Sequence, residues 1–238
     1  MRKSLRNWDN NTWLSSKLYI SQFNAFLLKK KRINNKSYLL DIGCGRGKIF
    51  GTLSRKLKLE KRPVCVDTIL NTNIDKSIDF RNESIFSYFR KNNNNFDLIM
   101  IKQTIHLFKK KDQLKLINIC KRRLNKNGKL FILLLCSKNS QIPCFNLMKK
   151  KFDLSLNKGT QIVKRIQRSL KYTKTSKFIF YVSINKVKYI QMIKKRFISC
   201  LIKMKNDQIV KGIKEIKKKY RKKIFFKDTL LCLEYKKI

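Results

Sequence analysis

Along this chain of 238 residues, short unbroken apolar runs alternate with longer segments in which apolar positions recur every three or four residues. The runs at 38–42, 63–66, 96–101 and 130–136 are brief, apolar and bounded by polar or glycine-containing turns, so each predicts a buried strand. The amphipathic stretch 14–28 predicts a helix. So does the spacing of Leu114, Ile117, Cys120 and Leu124 predict a helix over 111–124. Asn125 to Lys129 follows it, with Gly128 at a position suited to ending a helix. Residues 137–176 are basic and mostly helical in pattern. Beyond them, 177–182 predicts a strand, 186–196 and 207–220 predict helices, and 224–233 a closing strand.

Glycine is scarce, seven in all, yet Gly43, Gly45 and Gly47 stand within five residues directly after the first strand. Glycines between a strand and a helix allow a tight turn and a close approach to a ligand. A helix starting there also offers free N–H groups to electron-rich atoms. This is a nucleotide-type ligand loop. Spacing narrows the choice. A dinucleotide loop needs its third glycine one place later, and a phosphate loop needs Ser or Thr where Ile49 stands. What remains is an acid followed by alternating glycines: Asp41, Gly43, Gly45, Gly47.

That pattern resembles the first motif of the class I S-adenosylmethionine-dependent methyltransferases. The resemblance implies a loop (Asp41, Gly43, Cys44, Gly45 and Gly47) passing beneath the methionine part of S-adenosylmethionine, with Asp41 near its amino group. Pro63-Val64-Cys65-Val66-Asp67 is similar to the family's second strand. Its terminal acid, Asp67, would accept from both ribose hydroxyls, vicinal donors that suit one carboxylate. An acid at a strand end can also do no more than cap a helix. Ile78 to Ile85 looks like the third strand and its turn, where the family commonly sets an acid against the adenine amino group and an apolar residue against the ring. Ser84 and Ile85 hold those positions, with Glu83 one place early, so the purine contact stays open among Ser84, Glu83 and backbone.

Phe96-Asp97-Leu98-Ile99 resembles the fourth strand, with Lys102 and Gln103 in the segment that closes over the cofactor. Lys102 reads as a partner of Asp41 or another acid, because an unpaired ammonium is repelled by a sulfonium. His106, the only histidine, falls where the family faces its acceptor; it reads as a base or as a helix-start residue satisfying local backbone groups. Four matches in order imply an α/β, Rossmann-like fold. Its sheet would have seven mostly parallel strands and an antiparallel last strand, with helices on both faces and helical lid insertions. The implied organisation is an N-terminal helical cap (1–36), a cofactor core (37–136), a sixth strand with a helical lid (137–223) and a final strand (224–238). Trp13, Tyr189 and Arg196 are candidate acceptor contacts. For Tyr189 and Arg196 an exposed basic helix is the competing explanation.

Composition changes the picture in one respect. With 59 Lys plus Arg against 14 Asp plus Glu, the formal net charge is +45, a field that draws any polyanion. Lysine outnumbers arginine about threefold and Ala25 is the single alanine, so AT-rich codons account for part of the excess. No Asn-Pro-Pro-type segment follows the fourth strand, where Ile101-Lys102-Gln103-Thr104 stands instead, which argues against base N-methylation. A small anionic or phenolic acceptor is the expectation; an RNA or protein methyltransferase docking through the basic surface, or a non-catalytic scaffold, are the alternatives. The seven cysteines are scattered without a C-x-x-C pair, and the N-terminal 13 residues, which include Trp8, lack a secretion signal's apolar core. Both features point to a reducing, cytoplasmic setting, and one histidine with isolated cysteines offers no metal site.

Overall fold

The computed structural model describes residues 6–7, 10, 12–135, 140–170 and 173–238. Trp8, and Cys136 at the end of the predicted fifth strand, lie outside the described residues. Seven strands, β1 (Leu39–Ile42), β2 (Val64–Val66), β3 (Asp79–Arg81), β4 (Phe96–Lys102), β5 (Leu124–Leu135), β6 (Lys174–Asn185) and β7 (Lys223–Lys236), form one sheet in the order β3-β2-β1-β4-β5-β7-β6. The pairings among β1 to β5 are parallel, and β7 runs antiparallel to both β5 and β6. Strand order reverses between β1 and β4, and open α/β sheets place ligands beyond the strand carboxyl ends at such a switch.

Eight α-helices accompany the sheet among the described residues: α1 (Lys17–Lys30), α2 (Lys48–Leu57), α3 (Ile85–Lys91), α4 (Lys110–Arg122), α5 (Asn146–Ser169), α6 (Lys186–Lys194), α7 (Ser199–Ile202) and α8 (Asn206–Lys219). Tyr19, Phe23 and Leu27 of α1, Phe50 and Leu53 of α2, Tyr189 of α6 and Ile213 of α8 share one apolar layer with Phe178, Phe180 and Phe226 of the sheet. Tyr88 of α3 and Leu116 and Ile117 of α4 pack on the opposite face, against Leu40, Ile99 and Ile132. Helices on both faces explain why β1, β2 and β4 are near-continuous apolar runs rather than alternating ones.

α5 belongs to both layers. Its Met148 and Phe152 join the first and its Ile162 and Ile166 the second, so the helix reaches from the layer on one face to the layer on the other. β6 and the start of β7 are covered on one face only. Residues 177–185 of β6 and 223–228 of β7 alternate between buried and exposed, unlike the central strands.

Several boundaries differ from expectation. α4 ends at Arg122, its C-cap Arg123 has φ −83°, and residues 124–129 already run in β5. Gly128 is therefore a strand residue with backbone oxygens of Asn125 and Phe96 close by, and Asn127 takes the left-handed conformation instead. α1 packs on the sheet through Tyr19 and Phe23, and its Ile20 lines the ligand side together with the 3-10 turn Trp13–Ser15 before it. Among the described residues no helix is long and apolar enough to cross a membrane. The same residues contain no cluster of three potential metal ligands.

Candidate active site

Beyond the carboxyl ends of β1, β2 and β4 lies a cavity of about 810 Å³. The turn leaving β1 forms its floor. Gly43, Gly45 and Gly47 have φ of 75°, 59° and 67°, a region that costs other residues roughly 1–2 kcal/mol. Gly43 N–H donates to Val66 O at 2.8 Å, which ties the turn to the end of β2. A Cβ on Gly43 would overlap the Thr104 side chain, and one on Gly47 would overlap Ile78. At Gly45 nothing lies within 4 Å of that position: the backbone there faces space.

Asp67, at the tip of β2, holds the loop. Its Oδ2 accepts from Gly45 N–H at 2.8 Å and its Oδ1 from Ile69 N–H at 2.9 Å. Burial still raises its pKa, with those backbone bonds opposing. Asp41 is 3% exposed, and its Oδ1 has no hydrogen-bond partner among the described residues. Its pKa is pushed up to about 7, first by burial, with Lys102 opposing and Asp67 adding to the rise. Lys102, the last residue of β4, places its Nζ 5.3 Å from the Tyr19 ring centroid and 5.6 Å from that of Phe23. From there its charge favours the ionised forms of both Asp41 and Asp228.

Asp228, on β7, marks the far end of the cavity. It is 1% exposed; Trp13 Nε1–H donates to its Oδ2 at 2.7 Å, and its Oδ1 has no partner among the described residues. Burial raises its pKa, while the Trp13 bond and Lys102 lower it. The Trp13 ring is wedged edge-on against Phe197 and Phe226, at centroid distances of 5.5 and 5.0 Å. Phe152, Leu156 and Ile162 of α5 form an apolar wall, beside Arg165, whose guanidinium donates to Gln113 Oε1.

The cavity brings together Trp13, Asp41, Gly43, Cys44, Gly45, Asp67, Ser84, Ile85, Lys102, Gln103, His106 and Arg196. Two candidates stand apart. Gly47 does not line it: as the N-cap of α2 it lets the loop enter the helix. Tyr189 is neither an acceptor contact nor part of an exposed helix. It is fully buried, and its hydroxyl donates to Pro143 O at 2.6 Å. α6 turns Tyr189, Ile190 and Ile193 inward and its lysines outward.

Other candidates have local work. Ser84 caps α3 by accepting from Ser87 N–H, and Arg196, at φ 52°, donates to Met204 O and Asn206 Oδ1 across the 196–206 loop. His106 lies in the 3-10 turn Ile105–Leu107 at the cavity mouth, reached by solvent yet flanked by protein, which lowers its pKa. Sequence reasoning missed Asp228, Thr104, Arg165 and the α5 wall. Asp228 alone left a signal, as an acid on the inward-facing side of an apolar strand.

Comparison with known proteins agrees with this geometry. Residues 40–132, from β1 into β5, match the model of a methyltransferase domain. Curated protein sequences give no significant match. The plantazolicin methyltransferase BpumL, solved with a pentazolic desmethylPZN analog and SAH, superposes with a TM-score of 0.55 at 16% identity, over 100% of this chain and 91% of that one. Precorrin-6y C5,15-methyltransferase from Geobacter metallireducens GS-15 gives 0.51 at 11% identity, over 94% and 88%. A putative methyltransferase from Bacillus halodurans C-125 gives 0.50 at 12%, over 90% and 98%. At such identities the likeness is one of fold. Domain match, strand order and glycine loop together make this chain a class I S-adenosylmethionine-dependent methyltransferase.

Proposed function

We propose that this methyltransferase modifies a small soluble acceptor of anionic or phenolic character, bound between the glycine loop and the α5 wall. The observation that carries the proposal is the single cavity shared by Asp41, Asp67, Phe152 and Asp228. Its volume falls in the range of small-molecule sites. Two features fit the cofactor: a buried carboxylate oxygen on Asp41 without a partner among the described residues, suited to an ammonium, and space beside Gly45 that none of them fills. Asp41 then meets the amino group, Asp67 the ribose hydroxyls, and Ser84 with Ile85 the adenine, flanked by Cys44 and Gln103.

S-adenosylmethionine supplies an activated methyl on a sulfonium, open to in-line displacement. The protein's share is chiefly placement, which in favourable cases is worth up to ~7–11 kcal/mol. Phe152, Leu156 and Ile162 exclude water from the acceptor's apolar body, and Arg165 and Arg196 supply positive charge for an anionic group. His106 stands at the mouth with its pKa lowered, so near neutral pH it is an uncharged imidazole able to take a proton from a phenol. The precorrin-6y enzyme among the similar folds is named for a small-molecule substrate, and the plantazolicin enzyme is bound to an analog of its own. The described cysteines are all unpaired, in keeping with a reducing, cytoplasmic setting.

Incubation with methyl-labelled cofactor and a metabolite extract, with and without RNase-treated RNA and protein fractions, tests the proposal. Label in a low-molecular-mass anionic or phenolic product supports it. Label confined to RNA or protein overturns it in favour of the second reading, which the +45 charge supplies.

A further inference from the structure

On one face of the sheet the helices stop short of its last two strands. β6 ends the sheet, and on that face Lys177, Ile179, Tyr181 and Ser183 of β6 stand opposite Leu231, Thr229, Lys227 and Phe225 of β7. Tyr181 and Phe225 are each 69% exposed and Ile179 is 41% exposed. These are large side chains that a soluble surface rarely groups without a partner. Their register makes Tyr181 and Phe225 diagonal neighbours, whose Cα atoms lie about 7–8 Å apart. Lysine surrounds them: Lys227 Nζ lies 5.4 Å from the Tyr181 ring centroid, and Lys177 and Lys223 are exposed at either end of the rows. No acid falls on the exposed rows 177–185 and 223–227.

Charge selects the occupant. A second copy carrying the same +45 would be repelled from a lysine-framed face, and so would any basic partner. An anionic partner with flat apolar faces suits both elements, because exposed rings stack on bases whatever their sequence while flanking ammonium groups meet phosphates. In a duplex the base faces are already covered. We infer that the exposed β6–β7 face is a docking surface for single-stranded nucleic acid, with bases stacked on Tyr181 and Phe225 and phosphates on Lys177, Lys223 and Lys227. This inference does not depend on the identity of the methyl acceptor: the acceptor cavity is bounded by Trp13, Phe152 and Asp228, and none of the docking side chains lines it.

Fluorescence anisotropy of the full chain with a labelled single-stranded oligouridylate of about a dozen nucleotides tests the inference. The Tyr181→Ser/Phe225→Ser variant is compared with wild type, with thermal unfolding and cofactor affinity as fold controls. Both side chains are largely exposed, so the variant is expected to fold. Expected are binding that weakens steeply with salt, weaker binding of a duplex of the same length, and a loss of about tenfold or more in the variant at an unchanged salt slope. Lys227→Gln should instead lower the salt slope. Equal affinity for duplex and single strand, or an unchanged variant, would reduce the surface to non-specific charge and overturn the inference. Ring-dependent binding to vesicles of four parts zwitterionic to one part anionic lipid, without ring-dependent binding of the oligonucleotide, would reassign it to a membrane. Ring-dependent dimerisation in sedimentation, again without ring-dependent oligonucleotide binding, would reassign it to a second copy.

Discussion

The two ends of the cavity are built differently. At the cofactor end, Asp41, Gly43, Gly45 and Asp67 come from two short segments next to each other in the sheet, and backbone N–H donors do the holding: Gly43 N–H to Val66 O, Gly45 N–H to the Asp67 carboxylate. At the acceptor end, side chains from the N-terminal turn, α5, the 196–202 segment and β7 meet, and the key bond, Trp13 to Asp228, joins residues 215 apart. A ligand common to a whole family can be held by a fixed backbone turn. A ligand particular to one enzyme needs a wall that can be recomposed. The prediction that divides the molecule is that damage at one end leaves binding at the other intact.

The largest effect falls on Gly43. Gly43→Ala forces a side chain into φ 75° and against Thr104, and Thr104 Oγ1 is itself within 3.4 Å of Gly43 O. The loop must shift, and calorimetric affinity for S-adenosylmethionine should fall by about a hundredfold or more. Gly212→Ala is the matched control away from the cavity. Its Cβ would overlap the Phe145 ring where α8 meets the start of α5. It should lower the unfolding temperature while cofactor affinity survives. If both variants lose the cofactor alike, the loss at Gly43 reflects lowered stability rather than a shifted loop.

Asp67→Ala comes next. It removes the acceptor for two backbone N–H groups as well as the carboxylate proposed for the ribose. Bonds to a charged group are worth about 1.5–3 kcal/mol, so cofactor affinity should fall by about ten- to a hundredfold. An unchanged affinity would remove Asp67 from the proposed site.

Asp41 separates protonation from shape. Its folded pKa of about 7 lies above the ordinary carboxylate value, so the folded chain holds a proton that the unfolded chain has lost. Its contribution to folding stability is therefore present below about pH 4 and is lost as pH rises to about 7. A cationic amino group reverses the preference, because it is drawn to the ionised form. Cofactor affinity should tighten up to about tenfold per pH unit approaching pH 7 and then level off. Asp41→Asn should flatten that profile, weaken the cofactor, and stabilise the free protein more at pH 8 than at pH 5. A wild-type profile that is flat between pH 5.5 and 7 would sink the assignment.

The same division explains what could be read from the chain. The strands of the cofactor half carry their own signature, since glycines at positive φ and acids at strand tips are forced by local geometry. The expectation of a mostly parallel sheet with an antiparallel last strand came from the family resemblance that they carry. Tyr189 could not be placed, because a tyrosine among lysines looks exposed until Pro143 and Phe197 are known to lie over it. Gly128 misled for a related reason: helix α4 ended without a left-handed residue, and the glycine served β5 instead. The α5 wall was invisible because Phe152 and Ile162 occupy ordinary helical spacing. Only the reach of α5 between the two layers brings them to the cavity that the loop floors.

The smallest expected effect tests the acceptor end directly. Trp13→Phe keeps an aromatic ring against Phe197 and Phe226 but removes the donor to Asp228, leaving a carboxyl group that is 1% exposed with neither oxygen bonded to a side-chain donor among the described residues. An unpaired buried polar group costs about 1–3 kcal/mol, and Lys102 limits the loss by favouring the ionised form. Asp228→Asn in the same background should recover part of it, because a neutral amide is cheaper to bury than an unpaired carboxylate. Cofactor affinity should move by less than about threefold, since neither residue touches the glycine loop. If Trp13→Phe weakens the cofactor as strongly as Asp67→Ala, then Lys102 couples the two carboxylates through Asp41, and the cavity works as one charged network rather than two independent ends.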